Sequence, residues 1–467
     1  MDIAVIVLAA GEGTRMKSSM PKVLHAICGR SMLHFVLEAA EALHPKKVVV
    51  VVGHKAEQVK EAVRDVDFAL QEEQLGTGHA VLAARNSLAG FVGTVVILSG
   101  DTPLITAETL CSLLETHHAS GASASILSAR LRDPHGYGRI VRAEDGSVVA
   151  IVEEKDATDD ERLIDETNSG IYCFDSEKLF AALGQVGTDN EQREYYLTDV
   201  IKILRERGER VAASTTADAD EIAGVNSRVQ LAYADKVMRA RVNEGYMLAG
   251  VTIVESALTF ITPGAQIGAD TIVYPMTFID GDTTIGKGCT VGPSSRLQGS
   301  KVGDNTTVDN SIVLQSVIED DATIGPFAHI RPGTRVKTGA KVGGFVEMKN
   351  SELGIESKVP HLSYIGDAQI GDYVNIGAGT ITCNYDGVEK YRTVVEDGAF
   401  VGSDTMLVAP VKIGKGSFTG AGSVISKDVP EDSLAIERSE QRTIGNWAKK
   451  RRKRQDRKNS EARGDNG

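Results

Sequence analysis

Two strings in this sequence combine residues that handle phosphate with residues that move a proton. The first is Leu8-Ala9-Ala10-Gly11-Glu12-Gly13-Thr14-Arg15-Met16, followed by Pro21-Lys22. Glycines let a backbone approach a phosphate closely, and the amide N–H groups then cradle it. Arg15 and Lys22 add positive charge where a phosphorus must accept a nucleophile. The six-position glycine spacing of dinucleotide-binding turns is absent, and Gly11 and Gly13 could also make a plain strand-to-helix turn. Ser99-Gly100-Asp101 follows the apolar run 95–98 (VVIL), at a strand end of the kind that carries ligands in open α/β sheets. Asp101 is placed there to hold magnesium, a hard cation that takes oxygen ligands; capping a helix beside Thr102 is the plainer role. The second string, 358–365 (KVPHLSYI), contains His361. A histidine side chain can take a proton from an amine as the amine attacks, although a histidine can equally be a surface residue.

The elements that must position these groups differ in kind. Residues 3–8 (IAVIVL), 48–52 (VVVVV) and 95–98 are apolar at every position, as in parallel strands covered on both faces. Helical patterns lie between them, around Leu33, Val36, Leu37 and Ala40 and again at 80–84, so the spacing predicts a doubly wound, Rossmann-like α/β domain over 1–227. Residues 228–249 read as one connecting helix. After 250 aliphatics recur every six positions: Ile267, Val273, Ile279, Ile285, Val291 and Leu297. A five-residue step resets the phase to Val302, Val308 and Leu314, and a four-residue step resets it again to Ile318, Ile324 and Ile330. Period six is the hexapeptide signature of a parallel β-helix, predicted over 250–440, with glycines at its tight corners. Glycine follows this division: 19 of 48 lie in 1–249 and 26 in 250–430.

On such a prism Arg331 and Lys349 fall one to two coils from His361 and could clamp a phosphate. Asn375, Asn384 and Tyr385 lie close in sequence. The segment 383–393 (CNYDGVEKYRT) breaks the period, and a loop extruded from a solenoid usually serves function.

Composition narrows the classes further. With 42% hydrophobic and 25% charged residues the chain is a folded one, too long for a single core. The formal charge is −13, yet residues 449–458 (KKRRKRQDRK) alone carry +7, which leaves −20 on the rest. An acidic body argues against general nucleic-acid binding, and 441–467 reads as a basic, disordered, solvated tail. Five scattered cysteines with no metal-ligand spacing read as reduced thiols of a cytoplasmic protein. The N-terminal apolar run is too short to span a bilayer, so no membrane association is expected.

The string LAAGxGTRM…PK resembles that of sugar-phosphate nucleotidyltransferases, and the repeat resembles that of hexapeptide transferases. Joined to SYIGDA and GAGTITCNYDG, they resemble the family of bifunctional enzymes that synthesise UDP-N-acetylglucosamine, over about residues 3–440. That resemblance implies a left-handed prism, against the usual right-handed crossover, and a homotrimer assembled through it. It implies acetyl transfer from acetyl-CoA to glucosamine 1-phosphate, with His361 as base. Arg331 and Lys349 would be phosphate ligands, and Tyr364 and Asn375 would line the sugar. Ala378, Asn384, Tyr385, Ser403, Ala421 and Arg438 would contact acetyl-CoA. Uridylyl transfer from UTP would follow, with Leu8, Ala9, Ala10, Gly11, Arg15, Lys22, Ser99, Gly100 and Asp101 at the nucleotide. Gln71 and the loop containing Gly76 and Thr77 would read base and ribose. Gly138, Glu153 and Asn168 would bind the sugar, and Asn226 would join Asp101 on Mg2+. Ser99 departs from members that carry an aromatic there. Two rivals remain, a single nucleotidyltransferase with a structural prism and a regulatory scaffold. Asp101 and Lys22 count against the scaffold; His361, Arg331, Lys349 and the 383–393 loop count against the purely structural prism.

Overall fold

The computed structural model describes residues 2–464 and divides into two compact units, Met1–Gly299 and Ser300–Gly467. The first unit is built on β1 (Ile3–Leu8), β2 (Lys47–Val52), β3 (Asp67–Leu70), β4 (Thr94–Ser99), β5 (Ala124–Arg130), β6 (Arg139–Arg142), β7 (Val148–Val152), β8 (Glu166–Asp175) and β9 (Val211–Thr215). The main sheet runs β9-β5-β8-β4-β1-β2-β3. Alternate residues of one strand enter opposite cores: Ala4, Ile6, Val49 and Ile97 on one face, Val5, Val7, Val50 and Leu98 on the other. Both faces are covered, which is why residues 3–8, 48–52 and 95–98 are apolar at every position. Along this seven-strand path one strand departs from the parallel expectation, and the β6–β7 hairpin attached to it is antiparallel as well. β8 runs antiparallel to both β4 and β5, because the chain reaches it through the β6–β7 hairpin rather than a crossover helix.

Helix α1 (Met32–Glu41) and α2 (Thr77–Ala83) occupy the expected helical stretches. Helix α3 (Arg228–Leu248) starts at Ser227, whose hydroxyl accepts the Gln230 N–H, and runs unbroken through the predicted connector. It packs on the first coils of the β-helix. Buried Asn243 donates to the carbonyls of Ser256 and Thr259 at 3.0 and 3.1 Å, and the Tyr246 hydroxyl donates to Ala265 at 2.7 Å. The repeat period therefore changes at 250, while the compact unit extends to Gly299.

Short parallel strands form a three-faced, left-handed β-helix. In the first unit Ile267 pairs with Ile285 and Val273 with Val291, 18 residues apart. In the second unit coils of 16 residues (Val302 to Ile318), 17 (Leu353 to Ile370) and 18 (Val395 to Ile413) stack in register. Ile370 pairs with Val395, so the coil between them carries the extruded loop. One rung differs from the six-residue reading. Val313, not Leu314, is fully buried and pairs with Ile330, so the step to Ile318 is five residues rather than four.

A second inward stripe of small residues sits two positions before the rungs. Thr334 precedes Val336, Ser351 precedes Leu353, and Ser357 precedes Val359, all buried. The two serine hydroxyls satisfy corner backbone: Ser351 Oγ donates to Ile365 O at 3.2 Å and accepts Ala368 N–H at 2.9 Å, and Ser357 Oγ donates to Gly371 O at 2.7 Å and accepts Val374 N–H at 2.8 Å. The tail also differs from expectation. Of the expected tail 441–467, residues Trp447–Gly464 form helix α4, whose residues 447–460 are exposed, and residues 465–467 lie outside the described residues. Lysine, arginine and glutamine are good helix formers, and no glycine or proline interrupts the run before its last residue.

Candidate active sites

The β1 end forms a cleft of about 280 Å³ lined by Leu8, Ala9, Ala10, Gly11, Lys22, Gln71, Gly76, Thr77, Ser99 and Asp101, together with Gln74 and Glu194. Parallel pairing of β1 with β2 and β4 fixes its floor: Ala9 N–H donates to Val51 O and Gly100 N–H to Leu8 O, both at 2.9 Å. The half-buried Lys22 ammonium donates to the Asp101 carboxylate and, at 2.9 Å, to Asn226 Oδ1. Two oxygen donors from distant segments thus converge on one cationic centre. Asp101 caps no helix, because the next one begins at Ala107 with the Thr106 hydroxyl as its cap.

Glycines in the cleft act differently from one another. A Cβ on Gly13, at φ +63°, would meet the Lys22 side chain at 2.6 Å. A Cβ on Gly76, at φ +107°, would meet Tyr195 O at 2.7 Å. Gly11 has no such neighbour within 4 Å, so its missing side chain leaves open space in the cleft. Buried Gln71 donates to Gly76 O at 3.1 Å and contacts His79 Nδ1 at 3.2 Å, tying the loop to β3. Arg15 stands exposed in the turn at 14–16 and is not part of the cleft wall.

Gly138, Glu153 and Asn168 form a neighbouring group. Asn168 N–H donates to Gly138 O at 2.9 Å, and a Cβ on Gly138 would lie 3.4 Å from Glu153 Oε2. Burial raises the Glu153 carboxyl above its usual range, although it accepts the Thr198 hydroxyl at 3.1 Å. The segment 194–198 links this group to the loop containing Gly76 and Thr77, since Leu197 N–H donates to Thr77 Oγ1 at 3.0 Å. That segment, with no motif of its own, escaped the sequence reading. So did Tyr137, which accepts the Gly224 N–H and is raised by burial near Asp101.

In the second unit the strands Glu347–Lys349 and Tyr364–Gly366 lie side by side. Arg331 pairs with Glu347 at 2.7 Å. Tyr364 leans along its strand over Gly366, where a Cβ would collide with its ring. Lys390, from the extruded loop, reaches Lys349, and that contact lowers the Lys390 ammonium below its usual range. Asn384 and Asn350 both donate to Asp367. Arg331, Lys349, Tyr364 and Asn384 therefore gather around one end of this face, with Lys390, Asp367 and Glu347 added by the structure.

His361 is exposed at the other end, where it pairs with Gly344. Asn375 lies one coil on, paired with Lys358. Ala378, Ser403 and Ala421 climb the same corner on successive coils. The Asp404 N–H donates to Ala378 O at 2.7 Å, the Gly422 N–H to Ser403 O at 2.8 Å, and Arg438 to Ala421 O at 2.7 Å. A Cβ on Gly377 or Gly402 would strike the next coil at 2.4 and 2.5 Å, so glycine permits this stacking. The exposed Tyr385 sits with Asn384 at the loop, at a different corner from this row.

Comparison with known proteins gives the same two parts. Residues 5–219 match the MobA-like NTP transferase domain family. Residues 282–316 match the hexapeptide repeat of succinyl-transferase, and residues 392–427 the bacterial transferase hexapeptide (six repeats). The chain is 52% identical over 449 residues to the bifunctional protein GlmU of Heliobacterium modesticaldum, covering 96% of this chain and 98% of the relative. It is 52% identical over 455 residues to that of Streptomyces avermitilis, covering 96% and 94%. With that of Pelobacter propionicus the identity is 48% over 450 residues, covering 96% and 98%.

Proposed function

The chain belongs to the family of bifunctional GlmU proteins, and from that membership we infer a bifunctional transferase that makes UDP-N-acetylglucosamine at two separate sites. The convergence of Asp101 and Asn226 on Lys22 beside Gly11 is the observation that carries the nucleotide site. Acetyl transfer comes first. His361 takes a proton from the amine of glucosamine 1-phosphate as the nitrogen attacks the acetyl carbonyl of acetyl-CoA, and the thiol of coenzyme A leaves. Arg331 and Lys349 hold the phosphate, and Tyr364 and Asn375 border the sugar. The row Ala378, Ser403, Ala421 and Arg438, running along consecutive coils, suits a long extended ligand such as acetyl-CoA. Asn384 and Tyr385 contribute from the loop.

Uridylyl transfer uses the cleft. UTP lies with its phosphates over Gly11 and its base against Gln71, Gly76 and Thr77, bordered by Leu8, Ala9, Ala10, Ser99 and Gly100. The N-acetylglucosamine 1-phosphate sits against Gly138, Glu153 and Asn168. Its phosphate oxygen attacks the α-phosphorus in line, and pyrophosphate departs. Lys22, with Arg15 from the flanking turn, balances the growing negative charge. Asp101 and Asn226 supply hard oxygens already directed at one cationic point, which fits Mg2+ held by few protein groups and completed by phosphates and water. Bound there, the metal would neutralise phosphate charge.

A homotrimer is the proposed assembly. Phe327 and Phe345 stack at 5.1 Å and stand 52% and 64% exposed at one corner of the prism, beside Leu362 at 62%. Such a row is better covered by a neighbouring copy than by water. A cytoplasmic location fits five free cysteines. Among the described residues no helix is long and apolar enough to cross a membrane. The test is one purified chain assayed twice: thiol release from acetyl-CoA with glucosamine 1-phosphate, and pyrophosphate release from UTP with N-acetylglucosamine 1-phosphate. Both should be positive, and light scattering should give three times the chain mass. A chain that releases only pyrophosphate would favour the nucleotidyltransferase with a structural prism.

A further inference from the structure

The extruded loop is anchored at its base by one carboxylate to which no role has been given. Asp367 sits at a corner of the prism with φ +49°, in the left-handed region that Asp and Asn tolerate best among residues with side chains. Its carboxylate receives two amides from opposite sides. Asn350 Nδ2 donates to Oδ1 at 2.6 Å from the coil below, and Asn384 Nδ2 donates to Oδ2 at 2.5 Å from the first residues of the loop. Its backbone joins the same junction: its N–H donates to Lys349 O at 3.0 Å, and its carbonyl accepts Thr393 N–H, at the loop's far end, at 3.2 Å.

Both ends of the 384–392 excursion are thus tied to a single residue. Within the loop, Tyr385 and Lys390 are bridged and Tyr391 N–H returns to Asn384 O at 2.8 Å, so fixing Asn384 fixes the hairpin that carries Tyr385 and Lys390. The charges around the carboxylate are Lys349 from its own face and Lys390 from the loop, with Tyr364 adjoining Lys390. Two ammonium groups in contact repel, and a carboxylate beside them offsets that repulsion before any phosphate arrives. Burial works against ionisation of Asp367, yet the Asn350 and Asn384 amides and the two lysines hold its carboxyl below its usual range.

We propose that Asp367 is a positioning residue for acetyl transfer: it sets the place of the Asn384–Lys390 hairpin and keeps Lys349 and Lys390 side by side for the sugar phosphate. This rests on the reading of that face as the acetyl-transfer site. The residue touches neither reacting atom; it acts through Asn384 and the lysine pair.

Asp367→Asn is the discriminating change, because asparagine suits the same backbone conformation and has nearly the same volume. It offers one acceptor oxygen to two amide donors and removes the charge. The variant should lose about tenfold in kcat/KM for acetyl transfer, in raised KM for acetyl-CoA and glucosamine 1-phosphate with kcat little changed, the size expected for a lost hydrogen bond to a charged group. Trypsin should cleave at Lys390 or Arg392 faster than in the parent chain. Uridylyl transfer and the thermal midpoint should stay at parental values. Asn350→Ala, which removes the amide on the coil side only, should raise neither KM more than about twofold.

The inference is overturned if Asp367→Asn leaves both KM values and the cleavage rate at parental levels, or if kcat and the thermal midpoint fall together. The underlying site reading is checked separately by His361→Ala: full acetyl transfer in that variant would show that the face itself is not the site.

Discussion

The nucleotide cleft and the prism face assemble their residues by opposite routes. In the cleft, segments as far apart as Lys22, Asp101 and Asn226 meet at one partly buried point, because parallel strands flanked by helices bring loop after loop to the same sheet edge. On the prism the core is one side chain wide and is filled by aliphatic rungs and small hydroxyls, so long charged side chains have no room inside it. His361, Arg331 and Lys349 must stand on outer faces and are positioned by register, coil upon coil. The cleft makes a site by convergence, whereas the prism makes one by repetition and then interrupts the repetition with a loop. Substitutions should therefore act locally and steeply in the cleft. On the prism they should act by position on the coil.

The largest expected effect tests convergence. Lys22→Ala should lower the rate of uridylyl transfer by about 10²–10³-fold, the usual cost of removing one preorganised charge-stabilising group. Acetyl transfer by the same protein should stay unchanged, as read by thiol release. Chelation with EDTA should act in the same direction, stopping pyrophosphate release and sparing thiol release, with recovery on added Mg2+.

Next in size, Ile330→Ala should destabilise the prism by about 2–5 kcal/mol in chemical denaturation, since a fully buried rung has no neighbour able to fill its space. The adjacent pair Val313 and Leu314 sharpens this. Val313→Ala should cost roughly 1.5–3 kcal/mol and Leu314→Ala clearly less, because only Val313 points fully inward. Equal costs would mean that the register assigned here is wrong.

Gly76→Ala should be intermediate, destabilising by about 1–3 kcal/mol through the left-handed backbone and the collision with Tyr195 O. It should raise the KM for UTP, whereas Gly11→Ala, which has open space around it, should leave the thermal midpoint within a degree or two of the parent and still impair UTP binding. The smallest effect is expected from truncation after Ala448. Helix α4 is exposed from 447 to 460, so both activities should stay within about twofold.

Much of this comparison was readable in advance, for different reasons at the two ends. Strands β1, β2 and β4 announced themselves because burial on both faces forbids polar residues. Asp101 was legible because the end of β4 is a place where ligands gather. The prism was legible because an 18-residue coil repeats its sequence demands three times. What escaped was whatever depends on neighbours that are distant in sequence. The Val313 rung was misplaced by one residue because Leu314 is equally aliphatic and only packing separates them. The antiparallel β8 follows from a hairpin whose attachment is a tertiary matter. The small stripe of Thr334, Ser351 and Ser357 was hidden because serine and threonine suit turns as well. Asp367 and Lys390 gain significance only when the coils are stacked and the loop returns to its base. The helix at 447–464 was not foreseen because the run has no apolar face to announce one, although its residues favour a helix.

The central claim is that one chain holds two independent sites, and a crossed assay tests it most directly. Asp101→Ala and His361→Ala, each confirmed as folded by circular dichroism, are measured for thiol release from acetyl-CoA and for pyrophosphate release from UTP. Asp101→Ala should lose pyrophosphate release and keep thiol release at the parental rate, and His361→Ala should do the reverse. Loss of both activities in either folded variant, or retention of the activity assigned to the altered residue, would contradict the account.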